Sequence, residues 1–116
     1  MTDLYTLGLA QIILGLVIAA LCIPLIRGRV PRNRFYGFRF PQSLESDANW
    51  FAINRFGGRR LFIWSIVFVI LGAAILMNLI APQSIFIWAG LSVPVILFIP
   101  IIQTYIYGRS LSDKDI

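Results

Sequence analysis

The stretch LFIWSIVFVILGAAILMNLIA-PQS-IFIWAGLSVPVILFIPIIQTYIY, residues 61–107, decides the fold. It contains no Asp, Glu, Lys or Arg, and the runs 61–81 and 85–107 each hold thirteen residues from Leu, Ile, Val and Phe. Near a bilayer centre each such residue contributes about −0.3 to −0.6 kcal/mol, or roughly −4 to −8 kcal/mol per run. About 20 residues of helix cross the hydrocarbon core, so both runs are long enough to span. The three residues 82–84 between them predict a tight antiparallel hairpin. Upstream, residues 4–26 form a third uncharged run, again with thirteen of these residues.

Composition agrees. Of 116 residues, 59% are hydrophobic and 13% charged, with a mean hydropathy of +0.83, against about 25% charged in soluble domains. There is no histidine and a single cysteine, Cys22, so an intramolecular disulfide is excluded and the commonest metal ligand is missing. The first run lacks a basic lead, opening on Met1-Thr2-Asp3, and is too long for a signal-peptide core. Arg27-Gly28-Arg29 reads as its stop-transfer signal.

Charge sets the expected topology. Residues 27–60 carry eight arginines (27, 29, 32, 34, 39, 55, 59 and 60) against Glu45 and Asp47. The remainder has Arg109 and Lys114 against Asp3, Asp113 and Asp115. The positive-inside rule places the 27–60 loop and the C-terminus in the cytoplasm and the N-terminus outside. The expected architecture is therefore all-α, one multi-pass domain over 1–116. It has three transmembrane helices (4–26, 61–81, 85–107) and a short interfacial helix in the cytoplasmic loop.

That loop is long for a helix connection and rich in aromatics: Phe35, Tyr36, Phe38, Phe40, Trp50, Phe51 and Phe56 interleave with arginines. Rings and guanidinium groups both suit the headgroup layer. The spacing predicts the interfacial helix over 44–56, with Ser43 as N-cap and Glu45 and Asp47 favouring the positive end of the dipole. Gly57-Gly58 is its expected stop. At 100° per residue, Ser43, Asp47, Trp50 and Asn54 share one stripe.

The run Tyr36-Gly37-Phe38-Arg39-Phe40-Pro41, followed by Ser43, Trp50, Asn54-Arg55 and Gly57-Gly58, resembles the signature of the SdpI family of bacterial membrane proteins. Members show Gly-x-Arg-Thr-Pro, a serine, a tryptophan and an Asn or His shortly before a glycine, after the first of three spans. Here Phe40 stands in the Thr position. The resemblance implies immunity or resistance to a membrane-active peptide toxin, by binding rather than turnover. The family is named for an immunity protein that also sequesters a transcriptional repressor; that member is larger, with additional spans. The expected binding residues are Arg39, Trp50 and Asn54, with Ser43 and Asp47 organising the loop.

Each feature also has a plainer reading. The arginines serve topology, or they bind lipid phosphates or an acidic partner. Arg39 caps carbonyls or pairs with Asp47, and Trp50 anchors a helix at the interface, or the stripe forms a recognition surface. Asp47 as a base with Arg39 as an anion clamp lacks a nucleophile, metal ligands and a phosphate loop, so no enzyme and no cofactor is expected. The spans carry no ionisable side chains for conduction beyond tyrosine and Cys22. Gln11, Asn78 and Gln103 are candidates for bonds between helices, Pro94 and Pro100 for kinks, and Gly15-xxx-Ala19 and Gly72-Ala73-Ala74 for close helix approach. Membrane lipids are the expected partners, together with a peptide toxin or a membrane protein. A homo-oligomer is left open, and nucleic acid is not expected. The competing class is an accessory subunit of a larger membrane complex.

Overall fold

The computed structural model describes residues 2–114, with side chains described over 4–111. The charges of Asp3, Asp113, Lys114 and Asp115 lie outside the described side chains. Three helices follow in order: α1 (Thr2–Ile26), α2 (Asp47–Leu76) and α3 (Pro82–Lys114). All three are long and apolar enough to cross a membrane, which makes this a multi-pass membrane protein.

The helix stops are chemically specific. At the end of α1, Gly28 (φ 68°) takes the left-handed conformation. The Gly28 N–H donates to Leu25 O and the Arg29 N–H to Pro24 O, the pairing of a Schellman stop. Asn78 (φ 57°) repeats this after α2, with its N–H on Ile75 O and the Leu79 N–H on Ala74 O. Asn78 therefore ends a helix rather than bridging two. The connection is residues 77–81, not the expected 82–84, because Pro82 opens α3. Its fixed φ and missing N–H suit the first helical turn.

The separate interfacial helix over 44–56 does not form. Residues 41–45 make a turn, with the Ser43 N–H and Leu44 N–H both on Phe40 O, and α2 starts at Asp47. Its N-cap is Ser46, whose hydroxyl accepts from the Asn49 N–H at 3.0 Å. From there α2 runs straight through Gly57-Gly58, which are not a stop. A Cβ on Gly57 would lie 2.5 Å from the Phe38 ring, and one on Gly58 3.0–3.3 Å from α1 atoms. Both glycines exist for close approach.

Helices α1 and α2 pack antiparallel along their length. Gly8 lies against Gly72, Gly15 against Ser65 and Val69, and Gly58 against Cys22 and Leu25. The small residues noted in the sequence thus serve a seam within the chain. Gln11 adds a bond from Nε2 to Phe68 O, and Trp64 Nε1 donates to Gln103 Oε1 between α2 and α3. In this register Leu4 is level with Leu76 and Ile26 with Arg55, whose Nε donates to Ile26 O at 3.1 Å. The first eight residues of α2 therefore extend about 12 Å past the end of α1. Arg60 lies over the Phe56 ring at 5.0 Å, so its guanidinium turns back toward the polar end, as a snorkelling arginine does.

Helix α3 packs on α2, but α1 and α3 scarcely meet. A crevice runs between them with α2 as its floor. The outward faces of both helices, including Leu9, Ile13, Leu16, Phe86, Phe98 and Ile106, are exposed and apolar.

Candidate functional site

The loop folds around the projecting start of α2. Trp50 is fully buried, and its indole N–H donates to Val30 O at 2.8 Å. One turn on, Asn54 is also buried and acts as a backbone surrogate. Its Oδ1 accepts the Phe38 N–H, while its Nδ2 donates to Phe38 O at 3.3 Å and to Trp50 O at 2.9 Å. Ser43, fully buried, offers its hydroxyl to Phe38 O at 2.9 Å and Phe40 O at 2.7 Å. These polar groups sit at a folded end with no strand or helix to satisfy the backbone of 37–40. They take up the Phe38 N–H, Phe38 O and Phe40 O instead.

Gly37 is required twice over. Its φ of 120° lies where side chains are strained, and a Cβ there would meet Asn54 Oδ1 at 2.6 Å and the Trp50 ring at 3.1 Å. On either side of it, alternate residues reach each helix in turn. The Tyr36 hydroxyl donates to Leu21 O of α1. Phe38 lies against Gly57 of α2, and the Phe40 ring meets Tyr105 of α3 edge-on at 5.5 Å. The segment 36–40 thus bridges the bundle and closes one end of the α1–α3 crevice. Burial, with a smaller contribution from nearby Cys22, raises the Tyr36 pKa above its ordinary value, so the phenol stays a donor.

Arg39 is the outward member of this segment. It is exposed, donates Nη1 to Arg34 O at 2.7 Å, and lines the crevice. It does not pair with Asp47, because Arg32 holds that carboxylate through Nε at 2.9 Å and also donates to Leu44 O. The ion pair is exposed and closes the turn before α2 rather than forming a recessed acid–base site. The sequence stripe therefore divides. Ser43 lies outside the helix, Asp47 faces outward, and Trp50 and Asn54 point into the loop's interior. Trp50 is a core residue of the loop and not an interfacial anchor.

Sequence reasoning missed Asn33. Its Oδ1 accepts the N–H groups of Phe35 and Tyr36, and its Nδ2 donates to Pro31 O and Tyr36 O. It shapes the entry into the signature segment. The signal available was the Asn itself, whose side chain readily bonds the backbone two residues on. Among the described residues no group of three or more His, Cys, Asp or Glu could hold a metal.

A family model described as the SdpI/YfhL protein family matches residues 29–107, more than half of the chain. The chain belongs to the SdpI/YfhL family. The matched range opens as the loop leaves α1 and ends near the close of α3's apolar run. It holds Asn33, the 36–43 segment, Trp50 and Asn54 together. No curated protein and no solved structure matches the chain.

Proposed function

We propose that this chain is an SdpI-type immunity protein of a bacterial inner membrane, protecting against a membrane-active peptide toxin by binding rather than catalysis. The observation that carries the reading is the family match across the whole folded loop. In this reading Arg39 is the contact residue. Trp50, Asn54 and Ser43 are positioning residues that hold its segment, and the Arg32–Asp47 pair closes the turn behind it. The loop faces the cytoplasm and the N-terminus the outside, as the arginine excess of 27–60 favours.

The test is survival of a toxin-sensitive bacterium challenged with a secreted membrane-active peptide of the SDP type. Wild type is compared with Arg39→Ala and Trp50→Ala at matched membrane levels. Protection by wild type that both substitutions remove is the expected result. Protection that survives Arg39→Ala would move binding into the spans. Absence of protection, with a stoichiometric partner co-purifying, would favour an accessory subunit.

A further inference from the structure

The crevice between α1 and α3 has a shape and charge that define an occupant. Near the loop it opens into a hollow of about 430 Å³. Its walls are Ile18 and Leu25 of α1 and Ile96 and Ile101 of α3, with Leu61 of α2 at its floor. The 36–40 segment closes its end and places Arg39 in the lining. The Tyr36 hydroxyl is already bonded to Leu21 O. The charged group left at this end is the guanidinium, with one of its five N–H donors used on Arg34 O.

The hollow is short as well as apolar, since Ile18 to Leu25 is about 10 Å of α1, and Arg39 at its closed end favours an anionic amphiphile over a second apolar helix. For an extended peptide, the apolar walls offer the backbone no hydrogen-bond partners at membrane depth. A hydrocarbon chain needs none. The hollow's length of about 10 Å lies within one leaflet's share, roughly 15 Å, of the hydrocarbon core. Charge supplies the headgroup. Residues 27–60 carry eight arginines against two carboxylates, one of which, Asp47, is held by Arg32.

We propose that the α1–α3 crevice binds one anionic phospholipid of the leaflet beside the loop, with an acyl chain between Leu25 and Ile101 and the phosphate on Arg39. This makes Arg39 a headgroup ligand, because a guanidinium fork matches phosphate oxygens better than an ammonium does. The fold built around Trp50 and Asn54 then positions that arginine at the mouth of a lipid site. The lipid site goes beyond the immunity reading and stands or falls separately from it.

The experiment is native mass spectrometry of the full chain released from micelles holding equal amounts of phosphatidylglycerol and phosphatidylcholine. Wild type is expected to retain one phosphatidylglycerol with a preference of about tenfold or more. Arg39→Ala should remove the preference and Arg39→Lys restore part of it. Leu97→Trp, which fills the crevice from an exposed lining position, should abolish retention. Arg59→Ala removes an equal charge outside the lining and should change nothing. Equal retention of the two lipids by wild type overturns the proposal. So does phosphatidylglycerol retention untouched by Leu97→Trp, or a loss in Arg59→Ala matching that in Arg39→Ala. A lipid-free dimer that Leu97→Trp disrupts would assign the crevice to a second copy instead.

Discussion

The α1–α2 seam and the loop around Trp50 are both close-packed, yet they use glycine for opposite reasons. In the seam, Gly15 and Gly72 remove side chains so that two regular helices can approach, with each helix satisfying its own backbone. In the loop, Gly37 takes a φ of 120° so that an irregular segment can present its peptide groups to Asn54. The seam needs only small residues at a helical spacing. The loop needs particular polar atoms at particular places, and is correspondingly less tolerant of change.

The largest effect should come from the loop's centre. Trp50→Ala removes a fully buried ring and the donor to Val30 O, and should lower stability in detergent by about 3–5 kcal/mol, read from thermal unfolding. A loss under about 1 kcal/mol would mean that the loop is not packed around this residue.

The two glycines sharpen the comparison directly. Gly37→Ala combines backbone strain with displacement of the Asn54 amide, and should cost about 2–4 kcal/mol. Gly15→Ala is also tight, 2.5 Å from Val69 Cγ2 and 3.0 Å from Ser65 O, but its helical backbone carries no strain. It should cost about 1–2 kcal/mol through overpacking. Equal losses would erase the distinction between seam and loop.

The smallest effect belongs to Asp47. Its ion pair with Arg32 is exposed, and such pairs contribute about 0–1 kcal/mol. Asp47→Asn should leave unfolding within about 1 kcal/mol of wild type, and toxin protection unchanged. A complete loss of protection at matched membrane levels would restore Asp47 as a functional acid.

Much of this fold is legible in the sequence because lipid imposes a simple rule. Uncharged runs of the right length must be helices, since their backbone has no other partner. The boundaries are less legible. Asn78 reads as a polar residue within a span, but its left-handed φ ends α2 two residues earlier. Gly57-Gly58 reads as a helix stop, because nothing local reveals that Phe38, nineteen positions upstream of Gly57, will lie against it. Likewise the sequence singles out Ser43, Trp50 and Asn54 as a group, but helical spacing cannot show that they face inward. That requires the loop to fold over them, and the loop's path depends on Asn33 and Gly37. Arg39 stands out by type and position, while its separation from Asp47 follows from Arg32 reaching that carboxylate first.

The segment 36–40 that carries Arg39 is a built structure and not a flexible connection. Amide hydrogen exchange across residues 36–44, with the chain in lipid nanodiscs, tests it most directly. The Phe38 N–H on Asn54 Oδ1 and the Ser43 and Leu44 N–H groups on Phe40 O should exchange far more slowly than in an unstructured peptide. In Asn54→Ala the Phe38 amide should lose that protection while the α1 and α2 amides keep theirs. Exchange of these amides at the free-peptide rate in wild type would mean that the segment is a flexible connection after all.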